Sequence, residues 1–387
     1  MGVTVAAPGY VIDGLAPRET VGARTEADVV DTIRSANADG SAVVLWGGGT
    51  RGDIGGPLER YDVALDLRGL AGIVAHEPVD LTVTVGAGTT VADLAAALAP
   101  HGQWWPVEVA HPERATVGGT IVSAVAGASR LRYLHPRDWV VGARAVLGDG
   151  AATHAGGRVV KNATGYDLAR MYCGSFGTLC AITEVSLKLA PLPERSLSLR
   201  ADVPDLSFAY ARVRELLRAR PPLDALAVVT GEAASLGSDT WTSVFVRLAS
   251  TSGAVDRLRQ TVERVLGPME DAEAGTWQRI ADLPADAPMT VRATWPAGEP
   301  VEVYPANALW YPGVEILYTL DERELDDIRE LRSVAEERGG AAVLERAPVE
   351  LKRALGVWGT PRSPVDIGRR LRALFDPRGV LAPGRMP

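Results

Sequence analysis

Ala42-Val43-Val44-Leu45-Trp46 runs directly into Gly47-Gly48-Gly49-Thr50-Arg51-Gly52-Asp53-Ile54-Gly55-Gly56, and this junction decides the fold. Five apolar residues ending in consecutive glycines read as a buried strand that opens into a loop. Three glycines let successive main-chain N–H groups turn toward one centre, so the loop is either an anion cradle or a plain glycine-rich turn. It lacks the Lys-Ser/Thr ending of a Walker loop, and no helix follows immediately as in the dinucleotide fingerprint. Upstream, Thr25 to Gly40 predicts a helix, with Thr25 as cap, Asp28 supporting the first turn and Gly40 as stop. Downstream, 61–67 and 81–88 read as strands and 89–102 as a helix with Leu94 and Leu98 on one face. Strands and helices alternate from the start, which indicates α/β or α+β architecture.

Two further stretches stand out. Thr116-Val117-Gly118-Gly119-Thr120-Ile121-Val122-Ser123, continuing to Ala126-Gly127, reads either as backbone passing close along a flat ligand or as a turn in a core sheet. Lys161-Asn162-Ala163-Thr164-Gly165-Tyr166-Asp167, followed by Gly174-Ser175-Phe176-Gly177-Thr178-Leu179-Cys180-Ala181-Ile182, joins two glycine turns to a long apolar strand. Between 103 and 190 few long helical patterns occur. Residues 194–204 are proline-flanked and charge-mixed, marking a boundary. Beyond it, 208–220, 253–267 and 321–340 predict helices, and ALAVVTG, TSVFVRLAS, APMTVRATW, GVEILYTL and AAVLER predict strands. That order suits an antiparallel sheet with helices on one face.

Composition narrows the class. The chain has 387 residues, 47% hydrophobic and 23% charged, an ordinary globular balance with room for two or three domains. A net charge of −8 argues against binding nucleic acid, which needs clustered Lys and Arg. The N-terminal segment lacks the basic start and apolar core of a secretory signal, and no apolar run is long enough to span a membrane. The two cysteines, Cys173 and Cys180, read as reduced interior thiols, and the chain is expected to be cytoplasmic.

Taken in this order and at these separations, the three glycine-bearing stretches resemble the vanillyl-alcohol-oxidase, or PCMH-type, family of FAD-binding flavoproteins, with most likeness to the FAD-binding subunits of glycolate oxidase and to the D-lactate dehydrogenase group. The likeness runs from about Thr25 to Pro193 and resumes in Phe375-Asp376-Pro377-Arg378-Gly379-Val380-Leu381-Ala382-Pro383-Gly384-Arg385. Ala382 replaces the family's Asn, and Cys180 replaces the fourth Gly of its Gly-Thr-Leu-Gly run. The resemblance implies an α+β fold: a two-subdomain FAD-binding domain over 1–193, a smaller α+β cap domain with an antiparallel sheet over 194–374, and a tail, 375–387, returning to the first. It assigns FAD binding to Gly47, Gly48, Gly49, Thr50 and Arg51; to Pro112, Thr116, Val117, Gly118, Gly119, Ser123, Ala124, Ala126 and Gly127; and to Gly177, Thr178 and Ile182. Lys161 and Asp167, both part of the resemblance, are expected to fix the loop near the FAD, by a salt bridge, rather than to act as catalysts.

The histidines lie at 76, 101, 111, 135 and 154. None is in the second half, so histidyl attachment from the cap is excluded and FAD is expected to be non-covalent. The same absence removes a histidine-rich metal site, and no metal is expected. The resemblance implies oxidation of a small 2-hydroxy acid, such as glycolate or D-lactate, by hydride transfer to flavin N5. Such a reaction needs a proton acceptor and a cation for the carboxylate. The candidates are Arg292 for the carboxylate and Tyr304, Trp310 and Tyr311 beside the flavin; His111 and His135 read as packing groups near the cofactor segments. Two alternatives share the scaffold: an FAD-bearing accessory subunit without its own substrate site, and an oxidase of a sugar or secondary metabolite. Implied partners are the hydroxy-acid substrate, a second flavoprotein and an iron-sulfur subunit.

Overall fold

A computed structural model describes residues 3–5, 8–157, 167–235, 241–296, 305–360 and 364–387. The chain divides into two compact units. One comprises Met1–Val125, His135–Pro191 and Pro348–Pro387; the other comprises Ala126–Leu134 and Leu192–Ala347.

The first unit opens with a sheet in the order Val3–Val5, Glu19–Gly22, Val63–Asp66, Val43–Trp46. The last three strands are parallel, so the chain must cross over between them, and the helix Glu26–Asp39 makes one crossover. That helix begins and ends where the sequence predicts. Thr25 Oγ1 accepts the Asp28 N–H, the Asp28 carboxylate accepts the Thr25 N–H, and Gly40 ends it at φ 79°. Val29, Ile33 and Ala36 bury one stripe against Val21, Val43, Val63 and Leu65.

A second, antiparallel sheet runs Ile73–Glu77, Thr82–Gly86, Cys180–Lys188, Val140–Leu147, Ala152–Gly156. The helices Val91–Leu98 and Val117–Ser123 cover its core, with Leu94, Leu98, Val117 and Ile121 packed among Val83, Val85, Val140 and Val185. The second helix corrects one of the two sequence readings, which made Thr116–Ser123 a turn in a core sheet. Thr116 caps it, its Oγ1 accepting the Gly119 N–H, and burial of Val117 and Ile121 in the core adds what the cap alone does not supply against the poor helix propensity of two glycines. The helix Glu26–Asp39 also joins the two sheets: Val146 and Ala181 of the second sheet pack into its cluster, and Glu26 accepts from Arg144 at 2.5 Å and Thr183 at 2.7 Å.

The C-terminal return starts earlier than the tail expected at 375. Helices Val349–Leu355 and Pro364–Phe375 belong to the first unit. Buried Lys352 fixes the first of them, donating to the carbonyls of Asp53 and Gly55. The chain then extends the parallel sheet: the Val43 N–H donates to Val380 and the Ala382 N–H to Val43, each at 2.8 Å. The buried Asp376 carboxylate receives the N–H groups of Val380 and Leu381.

The second unit is an eight-stranded sheet ordered Glu270–Asp271, Arg195–Asp202, Thr242–Ser250, Ala225–Thr230, Ala308–Tyr311, Ile316–Thr319, Thr290–Thr294, Ala341–Arg346, antiparallel at every pairing. Amphipathic helices Leu206–Arg218, Ser252–Leu266, Thr276–Asp286 and Leu325–Glu337 accompany it. The charge-mixed stretch read as a boundary is the strand Arg195–Asp202, paired along its whole length with Thr242–Ser250. Its charges belong to the sheet: Arg200 pairs with Asp202 at 2.9 Å. Residues 126–134 join this unit rather than the first, because Ala128 is in its core and Arg132 donates to the Ala249 carbonyl at 2.7 Å. No helix among the described residues is long and apolar enough to cross a membrane.

Both cysteines are free thiols. Cys180 is fully buried in the core of the second sheet and so does not line the ligand cleft that its place in the glycine motif suggests. Burial raises its pKa and pushes that of Cys173 up to about 12. Both should resist a thiolate-selective reagent near neutral pH in the native protein and react once denaturant is added; fast native labelling of Cys180 would contradict this core.

Glu26 gives a pH prediction. The Arg144 guanidinium, aided by Thr183, holds its carboxyl below the usual carboxylate range. A folded-state pKa that is depressed stabilises above the unfolded-state pKa and loses that contribution as pH falls through the folded value. Glu26→Gln should therefore lower stability by about 0.5–1 kcal/mol at neutral pH, a modest figure because Arg144 is half exposed. The deficit should vanish in acid, below the depressed pKa, as read from thermal melts of both proteins across pH.

Candidate active site

The glycine loop leaving Val43–Trp46 owes its composition to a second stretch of backbone. A Cβ on Gly47 would lie 2.5 Å from Thr116 Oγ1, and one on Gly48 would overlap the Arg114 carbonyl. Gly49 has φ 70°, a conformation glycine adopts without strain. The loop is thus pressed against Arg114–Thr116, whose own course is fixed by a turn at His111 (φ 49°) and by Val117 and Gly118 donating to Thr89 and Ala87. Gly118 is small for a similar reason: its Cβ would stand 2.8 Å from that of Ala87.

The third motif closes on the same place. The Gly174 and Phe176 N–H groups donate to Ile121 and Val122 at the end of the helix Val117–Ser123. Gly177, at φ 71°, leaves only 3.2 Å between a hypothetical Cβ and Leu45. Together the three stretches bound one cleft of about 880 Å³, open mouth included. Its lining includes Leu45, Trp46, the run from Gly47 to Gly52, Thr116, Gly119, Ser123 and Phe176. Trp46 is held by Tyr10, 4.9 Å between ring centroids, and Tyr10 is tied in turn to Asp66 by a 2.7 Å hydrogen bond.

Two features fit this cleft to a diphosphate-linked dinucleotide. Among the described residues, nothing accepts a hydrogen bond from the N–H groups of Gly47, Gly48, Gly49, Thr50 or Arg51. Main-chain donors on residues that line a cleft, without protein acceptors, suit phosphate oxygens, and the Arg51 side chain adds a cation with no ion-pair partner among the described residues. Backbone strain also concentrates here: Phe176 and Ala382 line the cleft at φ 51° and 41°, and Ala124, beside Ser123, has φ 55°. Non-glycine residues persist in this region only where the surroundings impose it, commonly at ligand sites.

The assigned residues fall into three groups. Gly47, Gly48, Gly49, Thr50, Arg51, Thr116, Gly119 and Ser123 line the cleft. Pro112, Val117, Gly118, Ala124, Gly177, Thr178 and Ile182 support it: Val117 and Ile182 are core residues, Thr178 turns its hydroxyl to the Ser175 carbonyl, and Ala124 caps the helix. Ala126 and Gly127 belong to the second unit.

Sequence reasoning missed Arg385, Lys352 and Phe176. Arg385 lines the cleft, is 4% exposed, pairs with Asp13 at 2.9 Å and donates to the Gly52 and Gly56 carbonyls. Its position in the closing Pro-Gly-Arg was visible; its reach back to the glycine loop was not.

In the second unit the candidates have internal partners. Arg292 is ion-paired with Glu345 on the neighbouring strand, so its charge is already answered. Tyr311 is 2% exposed and packs edge-on to Tyr318 in the core. Trp310 stacks on Tyr210 and donates to Glu315. Tyr304 and Lys161 lie outside the described residues, and Asp167 pairs with Arg170 at 3.2 Å. His135 caps the short helix Pro136–Trp139, accepting the Arg137 N–H, as its packing role anticipates. Among the described residues no group of three or more His, Cys, Asp or Glu could hold a metal ion.

Comparison with known proteins agrees with this geometry. A family model described as an FAD binding domain matches residues 17–156. The glycolate oxidase subunit GlcE of Escherichia coli is 29% identical, over 92% of this chain and 96% of that one. GlcD of Bacillus subtilis is 27% identical over 81% and 77%, and the D-lactate dehydrogenase of Archaeoglobus fulgidus 26% over 93% and 89%. A solved structure of alkyldihydroxyacetonephosphate synthase shares the fold, with a TM-score of 0.70 at 17% identity, covering 95% of this chain and 76% of that one. With FAD as the ligand, Arg51→Gln should weaken flavin binding about tenfold or more, the worth of one charge-assisted hydrogen bond, while leaving the melting of the flavin-free protein unchanged. Gly48→Ala should lose flavin and stability together, because the added methyl forces the loop off Arg114. Flavin fluorescence titration reads both, and wild-type affinity in Arg51→Gln would remove that residue from the site. Cleft, motifs and relatives agree: the chain is an FAD-binding oxidoreductase, similar along most of its length to glycolate oxidase subunits and a D-lactate dehydrogenase.

Proposed function

We propose that this FAD-dependent oxidoreductase oxidises a small 2-hydroxy acid, such as glycolate or D-lactate, with FAD held non-covalently in the cleft of the first unit. The observation that carries the reading is the set of unaccepted N–H groups from Gly47 to Arg51, which supplies the diphosphate grip without a covalent link. The His135 ring is taken up by a helix cap, which supports non-covalent retention. When bound, FAD supplies a hydride acceptor. The residues of this chain hold its diphosphate, through the loop amides and Arg51, and shape the apolar wall through Leu45, Trp46 and Phe176. Two free thiols, Cys180 buried and Cys173 partly buried, support a reducing, cytoplasmic compartment.

A second reading is favoured by Arg292. Its pairing with Glu345 and the burial of Tyr311 take up two of the substrate-side groups that the sequence suggested. Under that reading the chain is an FAD-bearing component of a hydroxy-acid-oxidising complex and passes electrons without a substrate site of its own. Full-length likeness to a protein named as a glycolate oxidase subunit supports it.

One experiment separates the two. The purified chain is freed of oxygen and mixed with glycolate or D-lactate, and its visible flavin absorbance is followed. Bleaching by either acid is the expected result. Flavin that stays oxidised until partner subunits are added would establish the second reading, and flavin released only by proteolysis, not by acid, would refute non-covalent binding.

A further inference from the structure

The second unit has a cleft of its own, about 1480 Å³ with its open mouth, lined by Arg132, Arg214, Arg218 and Arg220 above a floor of leucines and prolines. One acidic side chain, Glu315, lines it with them. Four guanidinium groups against one carboxylate leave three formal positive charges in one concavity, in a chain whose net charge is −8. Like charges gathered in a concave surface raise the local potential and draw counter-ions of opposite sign.

The internal acids are already engaged. Glu315 is buried, 3.7 Å from Arg214, and accepts from the Trp310 indole. Asp224, behind Arg132 at 3.8 Å, is held more tightly by Arg247 at 2.5 Å. Arg214 lies over the Tyr210 ring and Arg132 donates to a main-chain carbonyl, so both are oriented. Arg218 and Arg220, at the end of the helix Leu206–Arg218 and just beyond it, contact no carboxylate among the described residues. The backbone under the cleft is strained at two non-glycine positions, Arg220 with φ 49° and Glu315 with φ 51°. Guanidinium is the side chain best matched to planar carboxylate and to phosphate oxygens, through paired N–H donors.

We infer that this cleft binds a small polyanion bearing two or more carboxylate or phosphate groups, with Arg218 and Arg220 supplying the unpaired charge. This ligand is distinct from the flavin, because the two clefts share no lining residue.

The test uses the full-length, FAD-loaded protein in low-salt buffer, titrated by calorimetry with inorganic pyrophosphate and separately with citrate. One-to-one binding of at least one of them with a Kd of about 1 mM or tighter is expected. Pyrophosphate alone points to a phosphate ligand, citrate alone to a carboxylate ligand, and both support the site. The Arg218→Gln/Arg220→Gln double variant should bind at least about tenfold more weakly, with flavin content and melting temperature unchanged. The inference is overturned if neither anion gives more heat than sodium chloride, or if the double variant binds as well as the parent.

Discussion

The first unit depends on one close approach of the glycine loop to the stretch Arg114–Thr116. Gly47 and Gly48 lie against Thr116 and Arg114 so closely that neither position has room for a Cβ. This contact decides where the loop after Val43–Trp46 can go, a loop that lines the cleft and whose amides find no acceptor among the described residues. The two segments are far apart in sequence, so the contact also ties the parallel sheet to the helix-covered antiparallel one. Glycine at these positions is therefore a packing requirement first and a means of ligand approach second.

A second constraint holds the loop from behind. Lys352 and Arg385, both buried, donate to main-chain carbonyls between Gly52 and Gly56, and Asp13 neutralises Arg385. Burying a cation is tolerable only when it is paired or fully hydrogen-bonded, which explains why the C-terminal return is anchored so firmly. Main-chain bonds from Val43 to Val380 and from Ala382 to Val43 complete the attachment. The cleft is thus assembled from the start, the middle and the end of the chain, a rigid support of the kind a cofactor site requires.

The second unit follows different rules. Its antiparallel sheet buries aromatic and aliphatic side chains such as Tyr311, Tyr318 and Phe245 and pairs charges across its strands, Arg292 with Glu345 and Arg247 with Asp224. An arginine or tyrosine in a strand looks the same in sequence whether it faces a substrate or a neighbouring strand. Sequence reasoning therefore picked Arg292 and Tyr311 as chemical candidates, whereas cross-strand pairing gives both structural partners.

Local rules determined much of this protein from sequence alone. The helix Glu26–Asp39 was legible to its caps, because Thr25, Asp28 and Gly40 act within a few residues of the backbone groups they satisfy. The glycine runs and their family likeness made the cofactor segments legible in the same way. Tertiary structure alone decided what depends on partners distant in the chain: that Thr116–Ser123 is a capped helix against Ala87, that Cys180 faces a core and not the ligand, and that Arg385 reaches Gly52 and Asp13. The physical reason is range. Capping and periodicity act over a turn of chain, while burial and ion pairing depend on which surfaces meet, and no single segment encodes that meeting.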